Sequence, residues 1–561
     1  MDKAQEEIIG LLKKETKLKD ISLEVPPDTS MGDYAFPCFQ LSKSMKKNPV
    51  EIAKELAEKL KPKGLIKEIK EQGPYLNFFI DKQKLAEKII KKVLKEKDSF
   101  GAGKKKKEKI VLEYVSPNTN KCLHIGHVRN GLLGEALARI SEFDGFEIVR
   151  TSQNNDKGRG MTEAMMGYLK FHDGETPKDM KPDHFVAKCY VDFKKAENDE
   201  LKKEVDLMTK HWEDEEPRVR EIWKRLTSWV YEGYKETYAK LGILFDKEYY
   251  ESEIYKKGKK IVMGGLKKGI FEKEDDAVIA DLEDFKLPKK VLIKSDGTSL
   301  YITQDIYLAK LKHKDFSMDR SIYVVASEQD NYFRQLFKIL EMLDFKFADK
   351  CHHLSYGLVN LPSGRMKSRE GKVVDADDLI EEMENLALAE IQKRHKDIPE
   401  KEMRARAEII GMGALKFFML KFDNVTSFTY NPEESLSFEG ETGPYVQYAH
   451  ARICSILERY GKDVEDDVLY DVLKTEQDEK LIVLLSRFSE TIEKSAESYS
   501  PHILARYLLD LSQGFNEFYH SCPVLDADED VKKARLFLVS AVKQVLQNGL
   551  ELLGIKAPKR M

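Results

Sequence analysis

The chain has 561 residues, of which 41% are hydrophobic and 10% aromatic, enough for two to four domains with cores of their own. A formal net charge of -4 argues against a protein that coats nucleic acid through global charge, so any RNA contact must use local patches. Six scattered cysteines without a CxxC pair indicate neither a disulfide framework nor a structural metal, and the sequence shows no membrane-length apolar run and no signal peptide, so a cytoplasmic protein is expected.

Residues 1–100 read as a separate α+β module. Tyr34-Ala-Phe-Pro-Cys-Phe-Gln-Leu41 is strand-like and precedes a helix over roughly 50–60. Gly73-Pro-Tyr-Leu-Asn-Phe-Phe-Ile80 is a second strand, followed by an amphipathic helix through Ile89, Ile90 and Val93. Phe36 and Phe78 read as core. Tyr75, Asn77 and Phe79 alternate with period two and would form an exposed face suited to unpaired bases. Gly101-Ala-Gly-Lys-Lys-Lys-Lys-Glu-Lys109 reads as an exposed linker.

The next stretch organises the rest of the chain. Ile110-Val-Leu-Glu-Tyr-Val115 is a buried strand, and Val128, Leu132, Leu133, Ala136, Leu137 and Ile140 recur at helical spacing before Gly145. Between them, Ser116-Pro-Asn-Thr-Asn-Lys-Cys-Leu-His-Ile-Gly-His-Val-Arg-Asn130 is a strand-to-helix loop, where an open α/β sheet binds ligands. The helix start offers free N–H groups to a phosphate. Gly126 would let a base or ribose lie against the backbone. His124 and His127 can point to one side and stabilise charge developing at an α-phosphate, and Lys121 adds a cation. A second strand, Phe146–Thr151, leads to Asn155, Asp156 and Gly158 and completes a βαβ unit.

His124-Ile-Gly-His127 matches the HIGH motif of class I aminoacyl-tRNA synthetases, and the longer run resembles that of arginyl-tRNA synthetases. The resemblance covers essentially the full chain. It implies a Rossmann-type parallel-sheet catalytic domain over 110–375, with an α+β N-terminal domain over 1–100 that contacts the tRNA elbow. An all-α helical bundle over 376–561 would bind the anticodon. A helical insertion is expected at about 161–285, too short for an editing domain.

Further along, Val291-Leu-Ile-Lys294, an Asp296-Gly297 turn and Ser299-Leu-Tyr-Ile302 read as a hairpin, with a helix capped by Thr303. Tyr301 and Asp305 lie four apart and can share a helix face. Ser321-Ile-Tyr-Val-Val-Ala326 is a buried parallel-type strand that delivers Glu328-Gln-Asp330 to its carboxyl end. Gly364-Arg-Met-Lys-Ser-Arg-Glu-Gly371 is a basic, glycine-bounded loop that resembles the second class I signature out of register, so Lys121 and Lys367 are expected to share the lost lysine's role. Stripes at Ile503, Tyr507, Leu511, Phe515, Phe518 and at Leu536, Val539, Val542, Val545, Leu546 read as bundle core.

The resemblance implies further site assignments. Arginine would be held by Ser116, Pro117, Asn118, His127, Tyr301, Asp305 and Gln329. Glu251 is a candidate second carboxylate for the guanidinium fork, with Glu248 competing. ATP, bringing Mg²⁺, would meet His124, Gly126, His127, Met366 and Lys367. Transfer RNA would meet Asn77, Phe79, Tyr448 and Met561, with His450 and Arg452 as alternatives. The expected partners are tRNA(Arg), L-arginine and ATP, acting on a monomer. Two competing classes are a small-molecule nucleotidyltransferase, which would need neither the N-terminal module nor the terminal helices, and an inactive relative, which would show an eroded site.

Overall fold

The computed structural model describes residues 3–26, 28–360, 374–394, 398–462 and 468–561. The N-terminal module contains α1 (Lys3–Thr16), β1 (Tyr34–Pro37), α2 (Phe39–Met45), α3 (Pro49–Lys59), β2 (Ile66–Gln72), β3 (Tyr75–Ile80) and α4 (Lys82–Glu96). Its sheet is antiparallel in the order β1-β3-β2, with Phe36 and Phe78 fully buried. Strand β2 escapes the sequence pattern, because Ile-Lys-Glu-Ile-Lys-Glu-Gln is an outer strand exposed along most of its length. Asn77 departs from the expectation of an open face. It is only 5% exposed, and its amide donates to Gln72 Oε1 at 3.1 Å. Phe79 is half-buried, with the Lys70 ammonium 5.0 Å from its ring.

The central sheet is built from β4 (Lys109–Glu113), β5 (Glu147–Asn154), β6 (Lys247–Tyr250), β10 (Arg320–Ala326) and β11 (Cys351–Tyr356). All neighbours are parallel, in the order β11-β10-β4-β5-β6. Between β4 and β5 runs α5 (Ile125–Phe143), which ends at Asp144 with Gly145 at φ +94°. This helix is buried nearly all round, polar residues such as Arg129, Asn130 and Glu135 included, because it is covered on both sides. The sheet lies on one side, and helices from the C-terminal half lie on the other. Gly134 lets it approach the sheet, since a Cβ there would stand 2.3 Å from the Tyr114 ring.

The segment expected as a helical insertion holds α6 (Arg159–Phe171), α7 (Pro182–Ala196), α8 (Asp199–Glu213), α9 (Pro217–Leu241) and α10 (Glu251–Lys267). It also supplies β6, the edge of the central sheet, and β7 (Glu272–Glu274) and β8 (Ala277–Ala280); β8 pairs with β7 on one side and β9 (Lys290–Ile293) on the other in a small antiparallel sheet. The expected hairpin strand at Ser299–Ile302 is corrected. Only a bridge between Ile293 and Ser299 forms, and α11 (Tyr301–Phe316) has already begun at Tyr301. Thr303 is therefore not a cap. It is buried in the helix, and its hydroxyl donates to Leu292 O at 2.5 Å. Next come α12 (Asp330–Met342) after β10, and then β12 (Val359–Asn360), which pairs with β13 (Phe428–Thr429).

The remaining helices are α13 (Ala376–Arg394), α14 (Glu400–Leu420), α15 (Pro432–Ser435), α16 (Gly443–Tyr460), α17 (Glu476–Ser486), α18 (Phe488–Glu497), α19 (Pro501–Ser521) and α20 (Glu529–Leu552). The two apolar stripes are the facing cores of α19 and α20. The N-terminal module docks on this bundle. The apolar face of α4, with Leu85, Ala86, Ile89, Ile90 and Val93 buried, packs against α17 and α20. Asn548 donates to Lys97 O at 3.0 Å and to Phe100 O at 3.2 Å.

Candidate active site

Three adjacent strands, β10, β4 and β5, end at one crevice, where the order turns from β4 outward in both directions. Such a switch point is where open parallel sheets bind ligands. The chain leaves β4 through Val115 at φ +70° and Ser116 at φ +44°. A β-branched residue rarely adopts this conformation, which costs about 1–3 kcal/mol. Side chains hold it in place. Asn130 accepts from Val115 N at 2.5 Å and donates to Val324 O at 2.7 Å and Tyr356 Oη at 3.0 Å. Ser116 Oγ accepts from Gln153 N at 3.2 Å, and Pro117 O accepts from Asn155 N at 3.0 Å. Asn118 is left exposed at the rim.

The two histidines cap α5. His124 Nδ1 accepts from Gly126 N at 3.1 Å, and His127 Nδ1 accepts from His124 N at 3.2 Å. The rings stand 3.9 Å apart, tilted by 37°. Burial, reinforced by the Lys121 charge, pushes His124 down to about 4; burial and the neighbouring charges of His124 and Lys121 push His127 well below the usual imidazole range. Both are therefore neutral, and with Nδ1 accepting, each carries its proton on Nε2 as a donor. Gly126 is explained differently from the sequence expectation. A Cβ there would stand 2.8 Å from the His124 ring, so the imidazole, rather than a ligand, occupies the space. Lys121 lies with its ammonium 5.6 Å from the Tyr190 ring, and its carbonyl accepts from Tyr234 Oη at 2.6 Å.

A cavity of about 430 Å³ opens beside the histidines, between Val115, Asn130, Val325, Ala326, Gln329 and Val359. On the other side of the β4 end lies a set of acidic groups. Asp305 is part-buried and accepts from Tyr332 Oη. Glu251, at the start of α10, is 3% exposed; its Oε1 accepts from Gln304 Nε2 at 2.9 Å, and its Oε2 has no partner among the described residues. Burial pushes each up to about 7, and each counts other carboxylates among its neighbours: Asp156 and Asp305 for Glu251, and Glu113 for Asp305. Glu248 is engaged, accepting from Asn154 Nδ2 at 3.0 Å. Tyr301 is 62% exposed, one turn ahead of Asp305.

Sequence reasoning missed several residues here. Glu113 is a buried acid at the end of β4, paired with the fully buried Lys312 at 2.9 Å. Its only signal was a carboxylate interrupting an apolar strand. Arg129 is 1% exposed and lines the cavity, with its Nη1 on Met419 O and its Nε and Nη2 without a hydrogen-bond partner among the described residues. At the proposed RNA-facing positions, Tyr448 is half-buried and accepts from Arg452 Nη2 at 2.9 Å, while His450 is buried with Nδ1 2.8 Å from Pro558 O. Met561 packs partly on the bundle core. Arg365, Met366, Lys367 and Ser368 lie outside the described residues.

A parallel sheet with paired histidines capping the helix after its first catalytic strand is the arrangement of a class I aminoacyl-tRNA synthetase. The model for "tRNA synthetases class I (R), catalytic domain" matches residues 89–431, that for "DALR anticodon binding domain" matches 446–561, and that for "Arginyl tRNA synthetase N terminal domain" matches 2–80. The arginine–tRNA ligase of Treponema denticola is 44% identical over 558 residues, covering 96% of this chain and 94% of that protein. The corresponding ligase of Bacteroides thetaiotaomicron is 38% identical over 595 residues, covering 100% and 99%. The structure of Thermus thermophilus arginyl-tRNA synthetase superposes with a TM-score of 0.83 at 27% identity, and that of Plasmodium falciparum arginyl-tRNA synthetase with 0.82 at 21%, each covering 100% of both chains. The chain belongs to the arginyl-tRNA synthetase family. Among the described residues no helix is long and apolar enough to cross a membrane.

Proposed function

We propose that this arginine–tRNA ligase works with its cavity as the ATP site and its acidic end as the seat of the guanidinium. In the first step an arginine carboxylate oxygen attacks the α-phosphorus of ATP, and the bond to pyrophosphate breaks. In the second, a ribose hydroxyl at the tRNA 3′ end attacks the arginyl carbonyl, and AMP leaves. ATP brings its Mg²⁺ as part of the substrate. The Nε2–H groups of His124 and His127 donate to the oxygens on which charge builds, above the loop at Gly126. Lys121 and Lys367 share the charge of the departing pyrophosphate, with Met366 beside the nucleotide. Ser116, Pro117, Asn118, His127 and Gln329 hold the amino-acid end, while Asp305, Glu251 and the Tyr301 ring receive the guanidinium.

One observation carries the arginine reading: a buried carboxylate with an unpartnered oxygen beside a second raised carboxylate. Such a group needs a cation, and two together suit a planar fork better than a point charge. Transfer RNA is read as lying along Phe79, Tyr448 and Met561, with Asn77 supporting the sheet beneath. The division into 1–100, 110–375 and 376–561 is retained as the functional partition, although the catalytic-domain match runs on through α14 to residue 431. The enzyme is read as a cytoplasmic monomer. The test is ATP–pyrophosphate exchange with each amino acid, with and without tRNA. Exchange with arginine alone, and only when tRNA is present, is expected. Exchange with lysine at a comparable rate would refute the pocket assignment.

A further inference from the structure

Beside the histidine loop lies a part-buried cluster of ionisable groups that none of these steps uses. It draws on four segments: Cys122 from the loop, Lys181, Asp183 and His184 from the start of α7, Thr237 from α9, and Asp375 and Asp377 from the start of α13. Lys181 Nζ donates to Asp377 Oδ2 at 2.6 Å and to Thr237 Oγ1, and stands 3.3 Å from Asp183 Oδ1. His184 Nε2 is 3.1 Å from Asp377 Oδ2 and 3.6 Å from Asp375 Oδ1. The donor atoms of Cys122, Asp183 and His184 lie within 4.8 Å of one another, as do those of His184, Asp375 and Asp377. The Lys181 ammonium already stands between Asp183 and Asp377, however, so the acids have their cation. The cluster is an ion-pair junction rather than a metal site.

The junction reaches the histidine cap through the main chain. Val374 O accepts from Ile125 N at 3.1 Å, Ala376 N donates to Leu123 O at 2.9 Å, and Asp375 bridges His124 in antiparallel fashion. Asp375 Oδ1 accepts from Asp377 N at 2.8 Å. The His124 backbone is thus fixed by the strip 374–376, and that strip is fixed by Asp377.

We propose that Asp377, gripped by Lys181 and His184, is a positioning residue that holds His124 and His127 at the geometry needed for adenylate formation. The proposal rests on the reading of those histidines as the groups that meet ATP. Asp377 touches no substrate and acts through the strip 374–376. Gly233 of α9 shows how closely the parts are fitted, since a Cβ there would stand 2.1 Å from Asp183 Oδ1.

The grip carries a pH signature. The hydrogen bond to Asp377 raises His184 against its burial, and Asp375 and Asp183 add to the effect. Burial alone would raise Asp377, but the bonds from His184 and Lys181 bring it down to about 2. The other titratable groups in the cluster around His184 are Lys181 on its own helix and Cys122, whose thiol burial keeps protonated. A raised histidine is fully charged below about pH 6.5 and loses its charge as pH rises through its folded value. The grip is therefore complete at mildly acidic pH and weaker on the alkaline side.

The test uses the full chain with tRNA and measures kcat and KM for ATP and arginine from about pH 6 to 9. Asp377→Asn should lower kcat on the order of ten- to a hundredfold while moving either KM by less than about twofold. His184→Gln should remove the alkaline fall in kcat that the parent shows. Amide exchange over residues 123–128, measured without substrate, should quicken in Asp377→Asn while the chain remains folded. If both variants keep the parent kcat, pH profile and exchange rates, or if only thermal stability falls, the proposal is wrong. Full activity in His124→Ala would instead overturn the histidine reading beneath it.

Discussion

Asp305 and Glu251 sit near 7, where free carboxyls titrate at about 4. An acid raised in the fold keeps its proton longer in the native state than in the unfolded one. Without arginine the fold therefore loses stability as pH climbs from about 4 to about 7, when both groups must ionise with no guanidinium beside them. A guanidinium reverses the balance, because it binds the ionised pair. Arginine should consequently bind more weakly as pH falls below about 7, releasing protons when it binds. Calorimetry in two buffers of different ionisation enthalpy reads that release directly, and a pH-independent affinity would contradict it. Asp305→Asn should raise the KM for arginine far more than that for ATP. The sequence made this much visible because Tyr301 and Asp305 are local neighbours on one helix. The pairing of Glu113 with Lys312 and the burial of Glu251 against Gln304 were hidden because those partners lie 199 and 53 residues away.

At the scale of elements, the strand-to-helix turn was legible because each piece has its own signal: an apolar run, a turn and a helical period. What holds the turn was not. Asn130 reads as an ordinary residue of the first helical turns, yet it secures the left-handed Val115 and ties β4 to β10 and β11. Asn130→Ala should cost about 1–3 kcal/mol in denaturant unfolding, from unmet buried groups. It should also lower kcat, because Ser116 and Asn118 follow the strained residue. Gly134→Ala, which drives a methyl into the Tyr114 ring, should cost about 1–3 kcal/mol through overpacking, with a smaller effect on catalysis. Where the pattern misled, as at Ser299–Ile302, a β-rich composition was overridden by a helix whose buried face packs on the small sheet. The outer strand β2 carried no alternation because little of it is buried.

Across the whole molecule, the C-terminal segment is threaded back into the body. Lys416 donates to Gly554 O at 2.7 Å, Gln447 to Lys556 O at 2.9 Å, and His450 meets Pro558 O. Burial brings Lys416 down to about 8, with Arg139 adding to the effect, so this anchor should slacken above about pH 8, visible as faster amide exchange at Ile555. At the opposite end, Asn548→Ala frees the carbonyls of Lys97 and Phe100 and should make the lysines at 104–107 more open to trypsin, at little change in kcat.

The seat of α4 on α17 and α20 also sets an order of events during synthesis. Glu96 leaves the ribosome about 380 residues before Glu476 follows, which at roughly 5–20 residues per second is on the order of 20 to 75 seconds. Throughout that interval Leu85, Ile89, Ile90 and Val93 lack the α17 and α20 surfaces on which they pack. The first module to be made is thus among the last to be finished, and a nascent chain stalled before α17 should present this helix to chaperones.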